Sequence, residues 1–310
     1  MIAVLAGGVG AARFLAGLVR AVPPEQVTAI VNTGDDTVLH GLHVSPDLDT
    51  VTYTLAGAVN PGTGWGLEGE TFAAMDALDR YGAPTWFRLG DRDLATHLYR
   101  TGRMGSGARL SEIADEVAAA WSVPTRLIPM SDDPVRTRIE LASGVEVEFQ
   151  EYFVKMRHSV AVRSVRFDGA ESAAPAPGVL EALSDAALVV VAPSNPVVSI
   201  GPILSIAGVS EILAGRRETV VAISPIVAGA ALKGPADRLL TELGEEASVV
   251  GVARRLGPVA GTLVVDDADR DLAPEVEAAG TRCVVCPTVM RDATAARDLA
   301  LEVLRVGGAA

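Results

Sequence analysis

The 310-residue sequence is poor in aromatic side chains, in cysteine and in positive charge. Aromatics make up 4% of it against 49% apolar residues, so its core must be built from Ala, Val and Leu. Lys and Arg number 26 against 39 Asp and Glu, a formal net charge of −13. That balance excludes a nucleic-acid face, which needs clustered basic residues. It leaves room for a small anion held by a few local cations and a metal. No apolar run approaches the roughly 18 residues that would span a bilayer. Ile2–Ala6 is too short for a leader and lacks its basic flank. A cytoplasmic chain is expected, with no nucleic acid and no membrane as partner. The two cysteines, Cys283 and Cys286, sit in TRCVVCPTVM. Their C-x-x-C spacing invites a redox or metal reading, but the segment reads as a strand, where i and i+3 point to opposite faces. Two diverging core thiols are expected. His40, His43, His97 and His158 form no metal-ligand spacing. There is no G-x-S-x-G elbow, no Cys-His pair and no H-E-x-x-H.

The N-terminal run MIAVLAGGVGAARF carries the strongest signal. Ile2–Ala6 reads as a strand buried on both faces, and Ala11, Ala12, Phe14, Leu15 and Leu18 follow at helical spacing. Between them lie Gly7, Gly8 and Gly10. Helix N-termini attract anions, and glycines let a phosphate approach the backbone amides. Two readings stay open: a phosphate cradle, or a tight strand-to-helix turn that binds nothing. Arg13 replaces the third glycine of a dinucleotide fingerprint and offers a guanidinium for a phosphate.

Further buried strands are expected at 26–32, 127–130, 187–191, 218–224, 247–252, 261–266 and 282–285. Helices are expected over 70–81, from Leu94 to about Arg100, over 111–121 with Ser111 as its cap, and over 293–306. Residues 138–149 alternate as a hairpin turning at Ser143-Gly144. Strand-like pattern continues to about Val165, and 168–178 reads as a surface linker. The β/α alternation predicts an α/β fold with a doubly wound, mostly parallel sheet. Residues 1–135 and 185–310 form its core, and 136–184 form a β-rich insertion. Polar loops closing the strands then gather along one sheet edge, where such folds bind ligands.

Asp35, Asp36, Asp47 and Asp49 cluster within fifteen residues beside strand ends and turns. They are either caps and turn formers or ligands of a Mg²⁺ that joins carboxylates to a substrate phosphate. Arg13, Arg88, Arg92 and Lys233 lie in or beside glycine- or aspartate-marked loops, and such a mixture suits phosphoryl transfer. Ser194 and Asn195, between prolines after a buried strand, are a plain turn or a nucleotide contact. From the residues alone, the reading reaches a Mg²⁺-dependent enzyme acting on a phosphorylated or nucleotide-linked substrate.

The motifs GGVGAARF, NTGDD, SPDLDT, GWG, LGDRDLATH, MSDDPV, FQEYFV, APSNPVVSIGPIL and SPIVAG, in that order, resemble the 2-phospho-L-lactate transferase family of coenzyme F-420 biosynthesis. The resemblance implies a Rossmann-like core with a smaller substrate-covering subdomain, usually as a homodimer. It also implies transfer of a phosphoenolpyruvyl or 2-phospholactyl group from a guanosine diphosphate adduct to the deazaflavin alcohol Fo, releasing GMP. The wording is closer to actinobacterial members, which favours the enolpyruvyl donor. By this likeness Asp49 and Arg88 contact Fo, Arg88 standing where many members have Lys, a change of contact geometry at constant charge. Gly7, Gly8, Gly10, Arg13, Ser194, Asn195 and Lys233 are assigned to the guanosine diphosphate site. Asp35, Asp36, Asp47 and Asp49 are assigned to Mg²⁺. A related family of gluconeogenesis-factor type, which binds nucleotide sugars and regulates, is the alternative.

Overall fold

The computed structural model describes residues 1–309. Strand β1 (Ile2–Ala6) runs into helix α1 (Gly8–Leu18), and β2 (Val27–Val31) into a hairpin of β3 (Thr37–Leu39) and β4 (Leu42–Val44). Helices α2 (Pro46–Leu55), α3 (Ala73–Asp79), α4 (Asp93–Gly105) and α5 (Leu110–Ala120) precede β5 (Arg126–Pro129). Next, β6 (Arg136–Leu141), β7 (Glu146–Glu148) and β8 (Val162–Asp168) form a separate antiparallel sheet. After α6 (Val179–Asp185) come β9 (Leu188–Val191), α7 (Gly201–Leu204), α8 (Val209–Gly215) and β10 (Val220–Ile223). A small hairpin, β11 (Ile226–Val227) and β12 (Ala230–Ala231), leads to α9 (Ala236–Glu242) and α10 (Val249–Leu256). The chain closes with β13 (Thr262–Val265), α11 (Ala273–Ala278), β14 (Arg282–Val285) and α12 (Ala293–Val306).

Seven parallel strands make the central sheet in the order β14-β13-β10-β9-β1-β2-β5. The chain starts in the middle, moves out through β2 and β5, and returns to β9 beside β1 before moving out the other way. This is the expected doubly wound, Rossmann-like order. Its direction reverses between β1 and β9, so the loops leaving those two strands part and open a crevice. Both strands are fully buried, which is why neither alternates polar and apolar residues. Val4, Ala6, Val31 and Val190 pack on one face with Phe14, Leu15 and Leu18 of α1 and Leu299 and Val303 of α12. Ala3, Leu5, Ile30, Val189 and Val191 face the other layer. Each fully buried Leu or Phe contributes roughly 1.5–3 kcal/mol.

Five local expectations are corrected. Residues 247–252 form no strand: Ser248 Oγ accepts from Val250 N and Gly251 N, and this cap starts α10, whose Val249, Val250, Val252, Ala253 and Leu256 are buried. The strand-like stretch after Phe149 is interrupted by a π-helical turn over Glu151–Lys155, which stacks Phe153 on Phe149 with ring centroids 5.4 Å apart. Residues 168–178 are not a free linker. Ala170, Ala173 and Ala176 are buried, and Ser131 Oγ donates to Ala174 O at 2.6 Å, because small residues let the chain lie close. Ser111 is not the cap of α5. Arg109 holds that position, and the Ser111 amide and hydroxyl both donate to Asp132, at 2.7 and 2.9 Å. The cysteines diverge as expected, Cys283 packing on one face of the sheet and Cys286 on the other, but each is half-buried rather than core. Burial pushes both thiols up to about 11.

Candidate functional site

The crevice begins at the turn between β1 and α1. Gly7 N lies 3.4 Å from Ser194 Oγ in the loop after β9. A Cβ on Gly7 would fall 2.7 Å from Ser199 Cβ and 2.9 Å from Asp47 Oδ2, and one on Gly10 would strike the Pro193 carbonyl oxygen. Gly8 has φ +69°, the left-handed region that favours glycine. The protein's own packing therefore demands Gly7 and Gly10, whatever else the turn holds. Asp47 also accepts a hydrogen bond from the Gly8 amide, so a carboxylate already stands at the head of α1. Asn195 spends its Oδ1 on Val197 N, at 2.9 Å, and shapes its own loop.

Two cations stand above this turn. Arg13 is exposed one turn into α1. Lys233 reaches in from the loop before α9, and its Nζ donates to Thr63 O at 2.9 Å. Partial burial and the nearby Arg13 charge lower the Lys233 ammonium below its usual range. Gly64 is buried against Val9 of α1 and Lys233 Nζ.

Beneath the turn, Asn32 Nδ2 donates to Asp47 Oδ2 at 2.9 Å, and Asn32 Oδ1 accepts from Gly34 N at 2.9 Å. Asp35, Asp36 and Asp47 follow from the loops after β2 and at the start of α2. Burial raises the Asp47 carboxyl to about 6 in spite of the bonds from Asn32 and Gly8. Burial raises Asp36 to about 7, opposed by Ser45 Oγ, which donates to it at 2.7 Å, and by Arg100 and Arg136. Asp35 is raised well above the ordinary range by burial and then by the Asp47 charge. Asp35 Oδ1 and Asp36 Oδ1 are buried without any hydrogen-bond partner. A recess lined by Gly34, Asp35, Asp36, Arg136, Thr137 and Gln150 opens beside them.

Asp49, two residues beyond Asp47, points elsewhere. Its two oxygens are gripped by Arg100: Nη1 lies 3.1 Å from Oδ2 and Nη2 bonds Oδ1. Arg100 Nη1 also lies 3.3 Å from His97 Nδ1. Since a guanidinium only donates, Nδ1 accepts and Nε2 carries the proton, 3.3 Å from Asp93 Oδ2. Tyr53 OH then meets Asp93 Oδ1 at 2.6 Å and Thr96 Oγ1 at 2.8 Å. Burial alone would raise Asp93, but the neighbouring His97 ring, the bond from Tyr53 and the Arg100 charge outweigh it and hold the carboxyl below its ordinary value. Burial opposes the Arg100 charge too, yet Asp49 raises it overall. Among the described residues, Asp49, Asp93 and His97 are the one group of three potential ligands whose donor atoms lie within 4.8 Å of one another. Sequence reading missed this network. The signal was there in the i, i+4, i+7 spacing of Asp93, His97 and Arg100, which shares one face of α4, and in the i, i+4 pair Asp49 and Tyr53 on α2.

Arg88 and Asp49 have separate partners. The Arg88 guanidinium is exposed, donates to Asp76 at 2.7 Å and lies 4.8 Å over the Phe72 ring. Its segment is held by two crossed caps. Asp91, just before α4, accepts from Ala73 N and Ala74 N of α3, each at 2.9 Å. Glu70, just before α3, accepts from Arg92 N and Asp93 N at the start of α4, each at 2.8 Å. The acidic residues of LGDRD thus include a structural cap.

Comparison with known proteins adds to this geometry. Among solved structures, a crystal structure of a Bacillus halodurans protein superposes with TM-score 0.64 and 17% identity over 98% of each chain, a likeness of fold. A phosphoenolpyruvate transferase of Streptomyces griseus is 47% identical over 312 residues, 98% of each chain. One of Thermobifida fusca is 44% identical, covering 97% of this chain and 98% of its own. One of Mycolicibacterium smegmatis is 40% identical over 95% of both. The family model described as 2-phospho-L-lactate transferase CofD matches residues 2–304, and with these relatives it shows that the chain belongs to the 2-phospho-L-lactate transferase family.

Proposed function

We propose that the protein transfers a phosphoenolpyruvyl group, or less favourably a 2-phospholactyl group, from a guanosine diphosphate adduct to Fo in coenzyme F-420 biosynthesis. Family membership and relatives named phosphoenolpyruvate transferase support the reaction class. The observation that carries the site is the set of carboxylates Asp35 and Asp47, both buried, and half-buried Asp36, set against the glycine turn with raised pKa values and two unpartnered oxygens. Such a set fits a divalent cation, because Mg²⁺ takes one or two protein carboxylates and completes its shell with phosphate and water. The three do not bring their oxygens together as one ligand set, so the neighbouring pair Asp35 and Asp47 would hold it with Asp36 beside them, and it would neutralise the donor's diphosphate. Asp49, gripped by Arg100, serves this reading as an orienting group rather than a ligand.

The glycine turn and the Ser194-Asn195 loop form one wall for the donor, with Arg13 and Lys233 above it. Fo enters from the side of Asp49 and Arg88, where the exposed guanidinium is free to leave Asp76. The terminal hydroxyl of Fo attacks the phosphorus that bears the three-carbon acid. The new phosphorus–oxygen bond forms as the bond to the GMP phosphate breaks, and the hydroxyl proton leaves to solvent or to a nearby carboxylate. A loose transition state asks mainly for positioning and charge neutralisation.

A second reading has its own observation, the ligand-like group Asp49, Asp93 and His97. Arg100 counts against it, since a cation already occupies the Asp49 oxygens. The activity test is incubation with Fo, Mg²⁺ and each guanosine adduct, followed by product mass and GMP release. Product from the enolpyruvyl adduct is expected, and no product from either adduct would sink the proposal. Light scattering tests the expected homodimer.

A further inference from the structure

Of the three tryptophans, two are packed against aromatic neighbours: Trp86 edge-on to Phe87 at 5.9 Å and Trp121 tilted on Tyr53 at 5.2 Å. Trp65 has no aromatic partner among the described residues and is 52% exposed. Exposing an indole in water sacrifices apolar burial, so its place calls for a reason. The loop that carries it is tightly fixed. Asn60 N donates to Gly66 O at 3.0 Å and Gly64 N to Asn60 O at 2.8 Å. Thr63 Oγ1 donates to Trp65 O at 2.6 Å, and Asn60 Oδ1 accepts from Gly62 N at 2.9 Å. Gly64 and Gly66 adopt φ +79° and +67°, which lets the loop close on itself.

This loop is also braced on the donor wall. Lys233 Nζ bonds Thr63 O at 2.9 Å, and buried Gly64 abuts both Val9 and Lys233 Nζ. Trp65 is thus the next residue after the point where the loop, the first turn of α1 and the Lys233 ammonium meet. A rigid loop that presents one exposed, unstacked indole, and whose preceding residues Thr63 and Gly64 meet Lys233 and the first turn of α1, suits a ligand with a flat heteroaromatic ring joined to an anionic chain.

We propose that Trp65 is the stacking platform for the guanine base of the donor nucleotide. This rests on the proposed function, in which the same turn holds the donor's diphosphate. The bracing residues choose guanine over the deazaflavin ring. Thr63 and Gly64 touch Lys233 and Val9, on the diphosphate side, whereas Arg88 on the Fo side already has Phe72 beneath it.

The test compares binding of GDP, inorganic pyrophosphate and Fo to the full-length protein with Mg²⁺, by calorimetry and tryptophan emission, for the wild type, Trp65→Ala and Trp65→Phe. GDP is expected to quench emission in the wild type, and that share of the quench disappears in Trp65→Phe. Trp65→Ala raises the GDP Kd roughly tenfold, the effect of losing one stacked base. Trp65→Phe keeps it within about threefold, since a ring remains to stack. The pyrophosphate Kd is unchanged in both. The proposal is overturned if Trp65→Ala binds GDP as tightly as wild type, if pyrophosphate weakens as much as GDP, or if Fo rather than GDP quenches Trp65. Wild-type protein that binds neither GDP nor pyrophosphate overturns the donor site itself.

Discussion

Buried Asp49 and half-buried Asp93 sit amid a guanidinium, an imidazole and a phenol, whereas buried Asp35 and Asp47 and half-buried Asp36 sit with hydroxyls, amides and one another. The charges of Arg100 and Arg136 act on Asp36 without bonding it. The first pair has a donor or cation for nearly every oxygen, and Asp93 titrates below its ordinary value. The second set titrates upward and leaves two oxygens with no partner at all. Yet the two groups sit within one turn of the same helix, since Asp47 and Asp49 both open α2. The difference teaches where the protein completes a charge by itself and where it leaves completion to a ligand. By that criterion we propose the Asp49 group as scaffold and orienting device and the Asp47 group as the cation seat.

The largest expected effect breaks the compensated side. Arg100→Met strands the Asp49 charge in a buried site and should cost about 3–5 kcal/mol in urea unfolding. A loss below about 1 kcal/mol would mean that Arg100 is not what compensates Asp49. The next effect sharpens the uncompensated side. In metal-free protein the folded pKa values of Asp36 and Asp47, about 7 and about 6, exceed the ordinary 3.8. The folded state therefore binds protons more tightly, and this contribution is full below pH 3.8 and lost as pH rises to about 7. Stability limited by these groups should fall on the order of a few kcal/mol over that range. Asp36→Asn should flatten the slope, and a slope unchanged by it would contradict the assignment. The smallest effect lies at the edge of the compensated group. Glu70→Ala removes the cap on the Asp93 amide and should cost about 1 kcal/mol, read as a lowered urea midpoint without loss of donor binding.

The sheet was largely legible because buried parallel strands leave short apolar runs closed by glycine or proline, and IAVLAGG and LVVVAP do so plainly. Local propensity failed where a single contact decided the outcome. Ser248 turned a valine-rich run into α10, and Asp132 took Ser111 away from its cap. In the site, proximity along the chain grouped four aspartates, but a helix turns about 100° per residue, so Asp47 and Asp49 point apart. The partner that separates them, Arg100, lies 51 residues further on. Only the fold brings it near. The exposed Trp65 stood in a GWG motif visible in the sequence, while its lack of an aromatic partner and the bracing of its loop are matters of three-dimensional packing.

The most direct measurement is Mn²⁺ affinity, read by electron paramagnetic resonance with GDP present, in the wild type, Asp47→Asn and Asp93→Asn. Mn²⁺ stands in for Mg²⁺ as a hard, oxygen-seeking cation. The account predicts that Asp47→Asn weakens Mn²⁺ binding at least roughly tenfold, as expected for a lost metal contact. Asp93→Asn should leave it within about twofold. Binding that survives Asp47→Asn and collapses in Asp93→Asn would put the cation with Asp49, Asp93 and His97 and contradict the central claim.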